Sequence, residues 1–113
     1  MKKLRGSIRS SNDFKKVYEE GRSFANKYLV MYVLDKENDT DSRLGVSVSK
    51  KVGNSVVRHR LTRLVRESFR LNKDKFKNGL DIVVIVRGGA LDRGFFDIEN
   101  AFMHLIRLHK KLI

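Results

Sequence analysis

A chain of 113 residues suits one domain with a core of its own, and 41% hydrophobic residues argue against a disordered chain. The absence of cysteine excludes a disulfide framework, a thiolate nucleophile and a Cys-ligated zinc. Lys and Arg number 25 against 13 Asp and Glu, a net charge of +12. Self-repulsion of that size favours a polyanionic partner, with nucleic acid first and an anionic membrane surface second.

The basic start, residues 1–6, precedes no apolar run, so it does not read as a secretory signal. No segment reaches the ~18 apolar residues of a membrane span. Residues 11–21 (SNDFKKVYEEG) read as a short helix, capped by Ser11 or Asn12 and ended by Gly21. Its Phe14, Val17 and Tyr18 share one face. A short extra strand fits Arg22–Ala25. Residues 28–35 (YLVMYVLD) read as a strand, with Leu29, Met31 and Val33 on one face and Tyr28, Val30, Tyr32 and Leu34 on the other. After the polar turn KENDTDS, residues 43–50 (RLGVSVSK) alternate Leu44, Val46 and Val48 with the small Gly45, Ser47 and Ser49. These two strands are expected to pair as a hairpin.

Residues 55–73 read as a helix. Residues 78–89 (NGLDIVVIVRGG) read as turn, strand and turn, and the unbroken Ile82–Val86 run indicates a central strand covered on both faces. From about Asp92 to Lys111 the pattern is helical again, with Ile98, Ala101, Phe102, Leu105, Leu108 and Leu112 in one stripe. The order α-β-β-(β)-α-β-α predicts a single domain over residues 1–113. Its class is α/β (α+β): a two-layer sandwich of one small mixed sheet with helices packed on it.

The stretch KKVGNSVVRHRLTRLVRESFR, residues 50–70, carries the strongest signal. On a helical wheel Val57, Leu61, Leu64, Ser68 and Leu71 form one arc, extended by Val65 and Phe69. Arg58, His59, Thr62, Arg63, Arg66 and Arg70 lie opposite, and Arg60 sits at the far border of the apolar stripe. Solvated helix faces ordinarily mix both signs, but here only Glu67 compensates. Guanidinium forks match phosphate and stack on bases, so the ridge reads as a nucleic-acid contact face. A membrane-surface helix fits less well, because its apolar side is needed for the core and lacks Trp. Before the ridge, Lys50 and Lys51 leave a strand, Gly53 permits a tight turn, and Asn54 or Ser55 can cap the helix.

SVSKKVGNSVVRHRLTRLVRESFR resembles the signature region of the bacterial ribonuclease P protein component: Ser-Lys-Lys-hydrophobic-Gly, then Asn, then an Arg-Asn-Arg triplet and further basic residues. DFKKVYEEGRSFANKYLVMYVL, RLGVSVS and LDIVVIVR resemble that family's first helix and its strands. His59 stands at the middle asparagine of the triplet, and Thr62 stands where lysine is frequent. The resemblance implies a ribonucleoprotein that removes the 5′ leader from precursor tRNA. Its RNA subunit performs the hydrolysis with magnesium ions, which the RNA mainly binds, and the protein holds none tightly. It also implies a left-handed βαβ crossover, which the general right-handed rule does not predict. RNA-subunit contacts carry over to Lys50, Lys51, Asn54, Arg58, His59, Arg60, Arg63, Arg66 and Arg70.

A leader is single-stranded, and proteins hold single strands with basic grooves and aromatic faces. The resemblance places Phe14, Tyr18 and Tyr32 at leader positions. Ser47 and Ser49 offer a low strand face beside them. Partners are therefore expected to be the catalytic RNA, one protein per RNA, and the precursor leader, with no membrane or DNA and a cytoplasmic setting.

No catalytic constellation is visible in the protein itself. His104 and His109 are five residues apart on one helix and do not converge, with His109 in a basic tail. DKENDTDSRLGV lacks the glycine and glutamate of a calcium loop, having Thr40 and Val46 there. Asp74, Asp81, Asp92 and Asp97 are scattered. Two rivals remain: a ribosomal-type RNA-binding protein with no part in cleavage, and a DNA-binding helix, which would ordinarily come with a dimerisation element.

Overall fold

The computed structural model describes residues 6–36 and 41–113. Its elements are α1 (Ser11–Glu20), β1 (Arg22–Ala25), β2 (Leu29–Asp35), β3 (Arg43–Val48), α2 (Ser55–Asn72), β4 (Leu80–Val86) and α3 (Phe95–Leu108), with 3-10 turns at Lys73–Lys75 and Gly88–Ala90. The sheet order is β1-β2-β4-β3. β1 and β2 are antiparallel, as are β2 and β4, whereas β3 runs parallel to β4. The expected pairing of β2 with β3 is therefore wrong. β4 lies between them because its run is buried on both faces, and such a strand gains most from the centre of a sheet. Part of the expected KENDTDS turn, residues 37–40, lies outside the described residues.

The α+β class, one small mixed sheet with helices packed on it, is as expected, but the helices lie on both faces rather than in a two-layer arrangement. α2 and α3 cover one face, packing Leu61, Val65, Phe69, Ile98, Phe102 and Leu105 on Leu29, Met31, Ile82 and Val84. Fully burying each such side chain contributes about 1.5–3 kcal/mol. α1 lies on the opposite face, where Ile8, Val17 and Val83 form a smaller cluster flanked by Phe14, Tyr32 and Leu34. α1 itself buries only Val17.

Local signals account for most helix ends. Ser10, not Ser11 or Asn12, caps α1, its Oγ accepting from the Asn12 and Asp13 amides at 3.1 and 3.3 Å. Gly21 ends α1 where a Cβ would stand 2.6 Å from the Val17 carbonyl oxygen. Asn54 caps α2 by accepting from the Val57 amide at 3.0 Å.

Two helix stripes are displaced from expectation. In α2, Leu71 is 48% exposed, and the buried line is Leu61, Val65, Ser68, Phe69 and Asn72. The helix packs on α3 as well as the sheet, which turns its buried centre about 100° away from Leu71, one residue step. Asn72 is satisfied there, donating to the Ser68 carbonyl at 2.8 Å and to Glu99 Oε2 on α3 at 2.9 Å. In α3, Ile106 is buried, while Leu108 and Leu112 are partly exposed. The helix ends at Leu108, and Leu112 instead forms a bridge to Phe76. Among the described residues no helix is long and apolar enough to cross a membrane.

Candidate nucleic-acid interface

α2 presents its charge to solvent. His59, Arg60, Arg63, Arg66 and Arg70 are exposed and Arg58 is half-buried. No acidic residue sits in its first turn. Among the described residues, no carboxylate pairs with Arg58, Arg63 or Arg66, whereas Arg70 pairs with Glu67. Arg58 Nε is buried without a hydrogen-bond partner among those residues. Thr62 turns back on its own helix and donates to the Arg58 carbonyl at 2.9 Å. Arg60 differs from the rest. Its Nη2 donates to the Arg93 carbonyl at 2.5 Å and its Nη1 to the Leu91 carbonyl at 3.4 Å, fastening α2 to the segment before α3.

Lys50 and Lys51 project from the turn between β3 and α2. Ser49 builds that turn: its Oγ accepts from the Lys51 amide at 3.2 Å and its carbonyl from the Val52 amide at 3.1 Å. Ser49 thus belongs with the lysines at the start of the ridge, one residue beyond the last residue of β3.

The second surface forms where α1 crosses the sheet. Tyr18 and Tyr32 meet edge to face with ring centroids 5.0 Å apart, and Phe14 lies 6.3 Å from Tyr18. Ser47 stands beside the Tyr18 phenol, whose pKa is raised by burial first and by Tyr32 second, against the lowering effect of Ser47. Tyr18 remains 36% exposed. Phe14, Tyr18, Tyr32 and Ser47 are thus brought together. Tyr28 is not among them. It precedes β2, in a turn where Asn26 Oδ1 accepts from the Tyr28 and Leu29 amides, and it packs on the main core. Lys27 Nζ and the Arg93 guanidinium lie 5.0 and 5.4 Å from its ring.

One charged cluster escapes a reading of the sequence. The Arg43 guanidinium forks onto Asp81, Nε to Oδ1 at 3.0 Å and Nη2 to Oδ2 at 2.8 Å, and Lys36 Nζ reaches Oδ1 at 2.9 Å. Burial alone would raise the Asp81 carboxyl, but hydrogen bonds from Arg43 and Lys36, with their charges, outweigh it and hold the pKa below the ordinary carboxylate value. Arg43 Nη1 also donates to Asp13 Oδ2 at 3.3 Å. The only signal for the cluster is the parallel register that sets Arg43 opposite Asp81, which requires the strand order.

The histidines stand apart from both surfaces or from one another. His104 Nδ1 lies 3.1 Å from Asn26 Nδ2. His109 is buried rather than in an open tail, its Nε2 3.0 Å from the Met31 carbonyl oxygen and its ring against Phe24. Among the described residues no group of three or more His, Asp or Glu side chains could hold a metal ion.

The chain matches the family model described as Ribonuclease P over residues 2–110. It is 56% identical over 104 residues to the ribonuclease P protein component of Lachnoclostridium phytofermentans, covering 92% of this chain and 89% of that one. Identity to the ribonuclease P protein component of Clostridioides difficile is 48% over 101 residues, 88% of each chain. The fold superposes on the RNase P protein of Staphylococcus aureus with a TM-score of 0.87 and 34% identity, covering 97% of this chain and 100% of that one. For the RNase P protein of Thermotoga maritima the TM-score is 0.80 at 35% identity, with 91% and 97% covered. Matched in sequence along nearly its whole length and in fold across the same span, the chain belongs to the ribonuclease P protein family.

Proposed function

We propose that this protein component holds the catalytic RNA along α2 and the single-stranded 5′ leader of precursor tRNA on the Phe14–Tyr18–Tyr32–Ser47 face. It thereby assists removal of the leader at the mature 5′ end. The observation that carries the reading is the continuity of β3 with the ridge. Ser47, beside Tyr18, is followed within four residues by Ser49, Lys50 and Lys51, which open the turn into α2. One strand therefore joins a stacking face to a phosphate-binding face.

The Lys50, Lys51, Arg58, His59, Arg63, Arg66 and Arg70 side chains meet phosphates in this reading, and Asn54 orders the helix start. Arg60 contributes charge while holding the segment before α3. Magnesium, when bound to the RNA, supplies the metal-ion chemistry of phosphodiester hydrolysis. This chain offers it little: Asp81, the one buried carboxylate among the described residues, has both oxygens engaged by Arg43 and Lys36.

A ribosomal-type scaffold accounts for the ridge but has no use for the aromatic face. The two readings separate in one experiment. Tyr18→Ala or Tyr32→Ala should weaken holoenzyme binding of precursor tRNA by ~1–3 kcal/mol and leave mature tRNA binding unchanged. Equal losses for both substrates, or none, would refute the leader reading.

A further inference from the structure

We infer that Arg43 is a positioning residue for the aromatic face: anchored on Asp81, it holds Asp13 and so sets where Phe14 and Tyr18 stand over β3. This rests on the leader-binding reading of that face and goes beyond it by naming what fixes the face's geometry.

Arg43, Gly45 and Ser47 alternate along β3 and therefore share the α1 side. Each meets one residue of α1. Arg43 bonds Asp13, Gly45 lies under the Phe14 ring, and Ser47 stands beside Tyr18. α1 buries only Val17, so its core contact fixes its position on the sheet but little of its rotation. The lateral contacts to β3 supply that restraint, and the Arg43–Asp13 bond is the charged one.

Arg43 is itself held in place. Two of its nitrogens are forked on Asp81, whose side chain is 5% exposed on the central strand, directly opposite Arg43 in the parallel register. Only Nη1 extends to Asp13. A planar guanidinium can grip two carboxylates at once from a fixed base, and an ammonium cannot do so with the same geometry. Asp13 immediately precedes Phe14, so releasing it frees the helix turn that carries the first ring of the face. Stacking depends on ring placement, and a displaced Phe14 or Tyr18 presents the wrong edge to a base.

The test uses reconstituted holoenzyme and reads the ratio of mature-tRNA to precursor-tRNA dissociation constants, beside affinity for the catalytic RNA. Asp13→Ala and Arg43→Lys should each lower the ratio roughly two- to five-fold, the scale of a partly exposed ion pair. Asp13→Glu should largely restore it, and catalytic-RNA affinity should stay constant throughout. Ser10→Ala removes the cap bonds to the Asn12 and Asp13 amides but leaves the Asp13 carboxylate on Arg43, and should leave the ratio in place. The inference fails if folded Asp13→Ala and Arg43→Lys proteins keep the wild-type ratio while Tyr18→Ala lowers it. It fails equally if Ser10→Ala matches Asp13→Ala, since helix stability would then be the cause. If Tyr18→Ala also leaves the ratio unchanged, the leader reading itself is lost.

Discussion

Phe14 rests on Gly45: a Cβ built at Gly45 would stand 2.6 Å from Phe14 Cζ and 2.9 Å from Cε1. The glycine is required here for space. Its missing side chain leaves room for the tip of an α1 ring against β3 beside the Tyr18–Tyr32 pair.

Gly45→Ala should therefore push the Phe14 ring off the strand. Overpacking of this kind destabilises by typically ~1–3 kcal/mol, and here part of the strain can be relieved by swinging the ring outward. The expected result is a modest fall in the unfolding midpoint together with weaker precursor-tRNA binding by the holoenzyme. Combining Gly45→Ala with Phe14→Ala should recover stability but not binding. A Gly45→Ala protein with wild-type binding would show that the ring's seat on β3 is not used.

The ridge makes a separate prediction through salt. Removing one cation that neutralises a phosphate should reduce the slope of log K against log[salt] by ~0.7–0.9. Arg63→Ala and Arg66→Ala, which have no carboxylate partner among the described residues, should each flatten the slope for the catalytic RNA. Arg60→Ala should behave otherwise. It removes bonds to the Leu91 and Arg93 carbonyls, so its larger effect should be on thermal stability. Identical slopes for wild type and a folded Arg63→Ala/Arg66→Ala protein would dismiss the ridge as an RNA surface.

Arg63 and Arg60 lie on one helix, and only one of them is legible from sequence. The polarity of α2 is visible in its 3.6-residue period, and the small face of RLGVSV is visible in its two-residue alternation. The double burial of β4 is visible in an unbroken apolar run. These are local patterns that burial imposes residue by residue. The pairing of β3 with β4 is not local. Proximity along the chain favours a β2–β3 hairpin, and the Arg43–Asp81 bond follows only once the true pairing is known. Alternation alone puts Tyr28 on the wrong face, because β2 begins one residue later, after the Asn26 turn. Arg60 and His109 look like free polar groups in sequence, yet carbonyls from distant segments claim both.

Two buried groups predict a stability that falls in acid, in separate windows. The His109 pKa is lowered, chiefly by burial, with Lys111 and Arg22 adding to the effect, although Met31 and Asp35 oppose it. The unfolded chain then binds more protons than the folded one below an unfolded value of about 6.5, so stability declines as pH falls through that region. Asp81 is also lowered, so its contribution is present above an unfolded value of about 3.9 and is lost as pH falls through the lower folded value. Chemical denaturation across pH should show both declines. His109→Gln should abolish the upper one and Asp81→Asn the lower. An upper decline that survives His109→Gln would assign it to another group.

The remaining prediction concerns where the chemistry resides. His59 is exposed on α2, His104 lies beside Asn26, and His109 is buried against Met31, so no two of them frame a common site. Asp81 is neutralised by two cations. The protein alone should not cleave precursor tRNA, with or without magnesium. The RNA subunit alone should cleave at high magnesium, because added cations screen the RNA–RNA repulsion that the protein's charge otherwise offsets. Adding the protein should lower that magnesium requirement. In single turnover with saturating holoenzyme, His59→Ala, His104→Ala and His109→Gln should each leave the cleavage rate within a few-fold of wild type. Removing a general acid or base typically reduces a rate by ~10²–10⁴-fold. A loss on that scale with substrate binding intact would place a proton-transferring group on this chain. A loss confined to binding, expected most at His59 between Arg58 and Arg60, would instead mark an RNA contact on the ridge.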